Sequence, residues 1–376
     1  VELELTNDQQ LFRETTRKFL ETSTPLTVVR ELAVENPDGF DRDWWRRGAE
    51  LGWTSMLVPE ELGGGSVSGE GVVDLQLIAE EMGRLVSPGP LLPTNIAAAA
   101  LSAPEAAGQH DDVVAGLLGG DTIATWAVAE PGGSWSPADV QLRAEPGDGG
   151  FVLHGEKTAV EAAAQADSFL VAARTGEGLT QFLVPADTPG VSVTPLESLD
   201  LVRRFGQVRF DNVAAPSSAV VGVVGGAASD IERQLQFALV IQCAEMVGAI
   251  DQVFAFTVEY SFDRYSFGRA LASYQALKHR FADMKLWLEA SHATSGAAAR
   301  AVQARADNAA ELVSVAKSYI GDHGPALVQD CVQMHGGIGV TWDHDLHLYL
   351  RRVTQDRVLF GAPPDHRERI ATLIGL

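Results

Sequence analysis

Residues 232–263 form a long, broadly apolar stretch at helical spacing. A helix lying on a protein surface keeps one charged face, so a segment this apolar must be wrapped by other elements. Residues 274–305 and 308–334, both rich in alanine, continue the helical pattern, and residues 345–360 add one more such segment. Helices of this length joined by short links imply a bundle. No uninterrupted apolar run reaches the ~18 residues of a membrane-spanning helix, so no membrane span is expected.

The chain before the bundle has two textures. Residues 1–118 read as helical. Thr6 and Gln9 fit a capping box, and Leu11, Phe12, Phe19 and Leu20 follow at helical spacing. Stretches 44–56, 74–85 and 94–102 continue that pattern, broken by Gly63, Gly64 and Gly65. Residues 119–225 read instead as short strands separated by turns. One hairpin pairs 140–143 with 151–154, and a second pairs 168–173 with 180–184 around Gly176, Glu177 and Gly178. Segments 122–129, 191–194 and 206–210 add further strands, which implies a small β-barrel or sandwich. The expected architecture is α+β, with a helical domain (1–118), a β domain (119–225) and a helical bundle (226–376).

Several function classes drop out. The formal net charge is −22, without the basic face that nucleic-acid binding requires. Cys243 and Cys331 cannot build a disulfide framework or a structural zinc site. Neither a phosphate-binding P-loop nor a glycine-rich dinucleotide turn after a strand is present. Cys331 with His335, and His344 with His347, have ligand-like spacing, but read more simply as a buried thiol and ordinary polar positions. Val1 to Glu4 is acidic rather than basic and apolar, so no secretory signal is expected and the location reads as cytoplasmic.

Three stretches together resemble the acyl-CoA dehydrogenase family. The first is Arg264, Tyr265, Ser266, Phe267 and Gly268, followed by Gln275. The second runs from Gln333 through His335, Gly336, Gly337, Ile338, Gly339 and Thr341 to Tyr349 and Arg351. The third is Ala129, Glu130, Pro131, Gly132 and Gly133, with residues 151–157 behind it. The helix–sheet–helix order matches the family over essentially the whole chain, and Trp53 with Val58, Pro59, Glu60 and Glu61 fits its N-terminal domain. The residue types suit FAD. Arg264 offers a guanidinium fork for a pyrophosphate, Ser266 a hydroxyl and Phe267 a flat apolar surface. Gln275 and Gln333 offer neutral polar groups, and Gly336 and Gly337 let backbone approach a ligand. The resemblance implies that these residues cross a subunit interface and grip FAD held mainly by the neighbour.

The other half-site, which in the family holds the chain's own flavin ring, departs from the pattern. Ala159, Val160 and Glu161 stand where the family carries Trp-Ile-Thr or close variants. Ala129 and Trp135 replace a threonine and a serine around the Glu-Pro-Gly loop. The reaction needs a carboxylate over the α carbon of the thioester. Phe360 occupies the usual base position and Ala238 the alternative one. Glu245, in an apolar stretch, is the remaining candidate acid. The resemblance therefore points to the non-catalytic subunit of an actinobacterial heteromeric acyl-CoA dehydrogenase. The expected partners are a homologous subunit that carries the base, an acyl-CoA such as a steroid side-chain thioester, and an electron-transfer flavoprotein. Two alternatives remain open: a self-sufficient flavoenzyme of this fold with an unusual base or oxygenase chemistry, and an FAD-free scaffold. No metal is expected.

Overall fold

The computed structural model describes residues 5–35 and 39–376, so the reading of Val1 to Glu4 lies outside the described residues. The N-terminal helices are α1 (Asn7–Ser23), α2 (Leu26–Glu35), α3 (Arg42–Glu50), α4 (Gly71–Arg84), α5 (Leu91–Leu101) and α6 (Asp111–Gly119). The capping box is formed: Gln9 N–H donates to Thr6 Oγ1 at 3.2 Å, and Thr6 N–H donates back to Gln9 Oε1 at 3.1 Å. Phe19, Trp44, Trp45 and Trp53 close the core here, with Trp53 fully buried and edge-on to Phe19 at 5.4 Å.

The middle of the chain folds into one mixed sheet. Its strands are β1 (Ala124–Ala127), β2 (Arg143–Gly147), β3 (Gly150–Glu161), β4 (Ser168–Thr175), β5 (Gly178–Pro185), β6 (Val191–Leu196), β7 (Phe205–Pro216) and β8 (Val220–Val221). The order is β6-β7-β3-β2-β4-β5-β8, with β1 parallel to β4. The expected hairpin β4–β5 forms, while the first, β2–β3, forms with its outer strand at 143–147 rather than 140–143; each is closed by a two-residue turn. Phe169, Phe182, Val208 and Phe210 fill a core of the sheet's own.

The C-terminal bundle consists of α7 (Ala228–Asp263), α8 (Gln275–Gln303), α9 (Ala309–His335) and α10 (Leu346–Asp356). A small hairpin of β9 (Tyr265–Ser266) and β10 (Arg269–Ala270) joins α7 to α8. Pro363 and Pro364 open a further helix, α11 (Pro363–Leu373). Proline suits the first turn of a helix, where its missing N–H has no partner to lose. The most apolar window of α7 has a mean hydropathy of 1.5, and 78% of it is buried inside the fold. Its composition is thus accounted for by its place at the centre of the bundle.

The helical layers meet at backbone distance. A Cβ on Gly83 of α4 would lie 2.0 Å from the Glu245 carbonyl oxygen of α7. A Cβ on Gly248 of α7 would lie 1.9 Å from the Glu80 carbonyl oxygen of α4. This reciprocal pair of glycines sets the spacing between the N-terminal domain and the bundle. Gly248→Ala is therefore expected to lower stability by at least ~2 kcal/mol through overpacking. An unchanged urea-unfolding midpoint would show that the two helices are free to separate.

Candidate functional site

The residues expected to grip a cofactor across an interface sit on two neighbouring features. Arg264 ends α7, and its carbonyl accepts from Leu271 N–H at 2.9 Å, which closes the base of the β9–β10 hairpin. The turn places Phe267 at φ 49° and Gly268 at φ 82°. Two successive left-handed residues make the tight reversal whose twist matches a two-stranded ribbon. Tyr274 Oη donates to the Ser266 carbonyl at 2.7 Å, and the Arg269 guanidinium lies 3.8 Å over the Tyr274 ring. The hairpin is thus braced by its own chain, yet Phe267 at its tip is 98% exposed. Arg264 and Gln275 are exposed as well, and Ser266 is half-buried.

The second feature is the end of α9. Gln333 is exposed on its last turn. Gly336 has φ 64° and ψ −138°, a conformation available only to glycine. A Cβ on Gly336 or Gly337 would meet nothing within 4 Å, so both glycines face open space. The two features are joined one turn before Arg264: Tyr260 stacks on His335 at 4.2 Å. His335 is buried and its Nδ1 bonds the Cys331 carbonyl, while His347 packs on Trp342, so these positions take part in local packing.

The chain's own cleft is differently made. Glu130 is held by Lys157 Nζ at 2.7 Å and accepts from Gln141 and Leu142 N–H, each at 2.8 Å. Burial lowers the Lys157 ammonium to about 8, against the pull of Glu130. The pairing of β3 with β7 slips between Lys157 and Val160, and Ala159 and Ala162 adopt φ of 49° and 54°. Glu161 is buried, and Arg203 Nε lies 3.3 Å from its carboxylate.

Arg203 in turn pairs with Glu245 of α7 and, at 3.0 Å, with Asp356 of α10. Arg352 pairs with Asp200 beside it. The group holds two guanidinium cations and four carboxylates, all buried. Lys317, fully buried, donates to the Gln242 side chain and to the Asp356 and Leu359 carbonyls nearby. Glu245, the candidate acid, is thus engaged with Arg203 rather than left as a lone buried acid. Sequence reading missed Asp200, Arg203, Lys317, Arg352 and Asp356. Lys317 and Arg352 did carry a signal, as charges inside otherwise apolar helical segments. The expected base positions hold no carboxylate. Ala238 is fully buried on α7, and Phe360 stacks between Trp126 at 6.0 Å and Trp135 at 4.6 Å.

Burial pushes Glu161 up from 4.5 to about 7, against the pull of Arg203. The folded state therefore holds this proton more tightly than the unfolded chain does. Its contribution to stability is complete below about pH 4.5 and is lost as pH rises through about 7. Glu161→Gln keeps a polar partner for Arg203 and removes the titration. Parent and variant are expected to unfold at similar temperatures near pH ~5, with the variant the more stable near pH ~8. A parent that gains on the variant as pH rises would contradict this charge balance.

The chain matches the N-terminal, middle and C-terminal domain models of acyl-CoA dehydrogenase over residues 6–120, 125–213 and 226–374. It is 28% identical to acyl-CoA dehydrogenase IpdE2 of Mycolicibacterium smegmatis over 97% of this chain and 98% of that protein. Among solved structures it is similar to the ChsE4–ChsE5 complex from Mycobacterium tuberculosis, at TM-score 0.88 and 27% identity over 100% of this chain and 99% of that one. A variant of the Tcur3481–Tcur3483 steroid ACAD aligns at TM-score 0.86 and 28% identity over 97% of each chain. PigA, solved with FAD and proline, shares the fold at TM-score 0.91 and 24% identity over 100% of each chain.

Proposed function

The chain belongs to the acyl-CoA dehydrogenase family, and we propose that it serves there as a cofactor-donating subunit without a catalytic base of its own. It lends Arg264, Ser266, Phe267, Gln275, Gln333, Gly336 and Gly337 to FAD held mainly by a homologous partner. The partner supplies the flavin-ring pocket and the carboxylate that takes the α proton of an acyl-CoA thioester. A steroid side-chain thioester is the favoured substrate, because a structural relative is a steroid ACAD. A heteromeric partner is favoured because another relative was solved as a complex. The expected setting is cytoplasmic, with an electron-transfer flavoprotein as acceptor.

The observation that carries this reading is Phe360, packed 4.6 Å from Trp135 where the base belongs. A phenyl ring takes no proton, and its contact with Trp135 fills the place of an acyl thioester. The chain's residues thus fit FAD in one half-site and not in the other. On the donated side, an arginine fork, a hydroxyl, an exposed ring and two open glycines suit a pyrophosphate with ribose and a ring system. On the chain's own side, Glu161 is drawn to Arg203 and Ala159 presents no ring. The chemistry that bound flavin supplies is acceptance of the β hydride. This chain's part is to hold the far end of the cofactor and to keep water from it.

Co-expression with the base-carrying subunit tests the reading. Arg264→Ala is expected to weaken flavin retention roughly 10–100-fold, as loss of a charge-assisted contact does, while the size of the complex is unchanged. Flavin content equal to that of the parent complex would remove Arg264 from the cofactor site.

A further inference from the structure

A cleft of about 630 Å³ opens between the end of α5, the start of α7 and the link 304–308 that joins α8 to α9. Its volume suits a small molecule. It lies on a different face of α7 from the space around Trp135 and Phe360. Arg233 and Phe237, one turn apart, line this cleft, whereas Glu232 and Leu235 face the other, and Gln236 and Ala310 border both. Much of its wall is aliphatic, from Leu57, Pro59, Ala99, Ala103, Pro104 and Ala306.

Two neighbouring cations face this space. Arg233 is half-buried, with its guanidinium 4.6 Å over the Phe237 ring and its Nε buried without a partner among the described residues. Arg305 is exposed just past the end of α8, at φ 49° in a turn where its N–H donates to the Val302 carbonyl at 3.2 Å. Neither guanidinium has an ion pair or a hydrogen bond among the described residues. Burial and the nearby Arg305 lower the Arg233 guanidinium to about 10, so it stays charged at neutral pH. Elsewhere in this chain of net charge −22, arginines such as Arg17, Arg84 and Arg203 are paired with carboxylates. Two like charges left unpaired at a partly buried site cost free energy that an anion would recover. Glu105, Asp230 and Asp307 also line the cleft, but none pairs with either arginine among the described residues. Asp230 is raised by burial and by Glu105, so like charges are grouped on both sides of the balance.

We propose that this cleft binds a small organic monocarboxylate, a single carboxylate on a compact apolar body. Arg233 and Arg305 take the carboxylate, whose two oxygens match a guanidinium fork. The aliphatic wall takes the body. Glu105, Asp230 and Asp307 limit the charge of the ligand, because they repel an anion that carries several negative charges. The inference goes beyond the cofactor reading and does not depend on it, since none of the residues proposed to grip FAD lines this cleft.

Isothermal titration of the full chain with cyclohexanecarboxylate near pH ~7 tests it, with cyclohexylmethanol, cyclohexylmethylamine and inorganic pyrophosphate as comparison ligands. The carboxylate is expected to bind saturably, the alcohol and pyrophosphate at least about tenfold more weakly, and the amine not at all. Arg305→Gln removes an exposed side chain without a partner, so the variant folds, and it is expected to weaken the carboxylate about tenfold while leaving the alcohol unchanged. Arg233→Lys keeps the charge and loses the fork, and is also expected to weaken the carboxylate about tenfold. Equal affinity for carboxylate and alcohol, tighter binding of pyrophosphate or the amine, unchanged carboxylate affinity in Arg305→Gln, or no saturable carboxylate signal would each overturn the proposal. Flavin content is not read in this titration, so its failure is distinguishable from failure of the cofactor reading.

Discussion

Arg203 is the point at which the sheet is tied to the C-terminal bundle. Its guanidinium meets Glu161 at the end of β3, Glu245 in the middle of α7 and Asp356 at the end of α10. All four side chains are buried. Inside a fold the attraction between such charges is strong, but each was costly to bring there. Removing Arg203, the shared cation, leaves its buried carboxylates uncompensated, at about 3–5 kcal/mol. The glycine contacts between α4 and α7 set how closely the layers approach, and the Arg203 group sets their register. Glu161 takes part in this joint from the strand that, by family resemblance, faces the flavin ring. A ring placed there would have to displace the buried Glu161 side chain from Arg203.

Another part of the chain is arranged for exposure. The β9–β10 hairpin is braced by Tyr274 and Arg269 but holds Phe267 fully outward in a left-handed conformation. Positive φ is unfavourable for an aromatic residue, and exposing its ring to water adds to the cost. The bonds of Tyr274 and Arg269 hold the turn in place, and on the proposed reading a partner would cover the exposed ring. Tyr265, Val340 and Trp342 are also exposed nearby in sequence to the two features that resemble a cofactor grip. On the proposed reading, assembly would cover this surface, while the chain's own cleft is closed at its floor by Trp135 and Phe360.

Much of this was legible in the sequence, for physical reasons. The 232–263 segment declares its burial by composition, and α7 is the core helix of the bundle. The hairpin turns after Gly147 and Thr175 are marked by glycine. The residues proposed to grip a cofactor stand out in the sequence because arginine, serine, phenylalanine and glycine at fixed spacing form a local pattern. The Arg203 group was not readable, because its members lie on separate elements and are far apart in the chain. No local rule distinguishes Asp200 or Asp356 from a surface aspartate until the fold brings arginines to them. Helix α11 lies beyond the last helical segment read from the sequence, 345–360, and opens on Pro363 and Pro364, which are at home in a first turn. Glu245 was legible as a buried acid, but its partner was not.

The central claim is an asymmetry between a donated half-site and a closed one, and flavin stoichiometry addresses it most directly. The flavin-to-protein ratio should be measured on the chain purified alone and again on its complex with a base-carrying homologue. A donated half-site requires a colourless chain alone and about one flavin per two chains in the complex. One flavin per chain, bound by this protein alone, would contradict it and show that the strand carrying Glu161 still accommodates the ring.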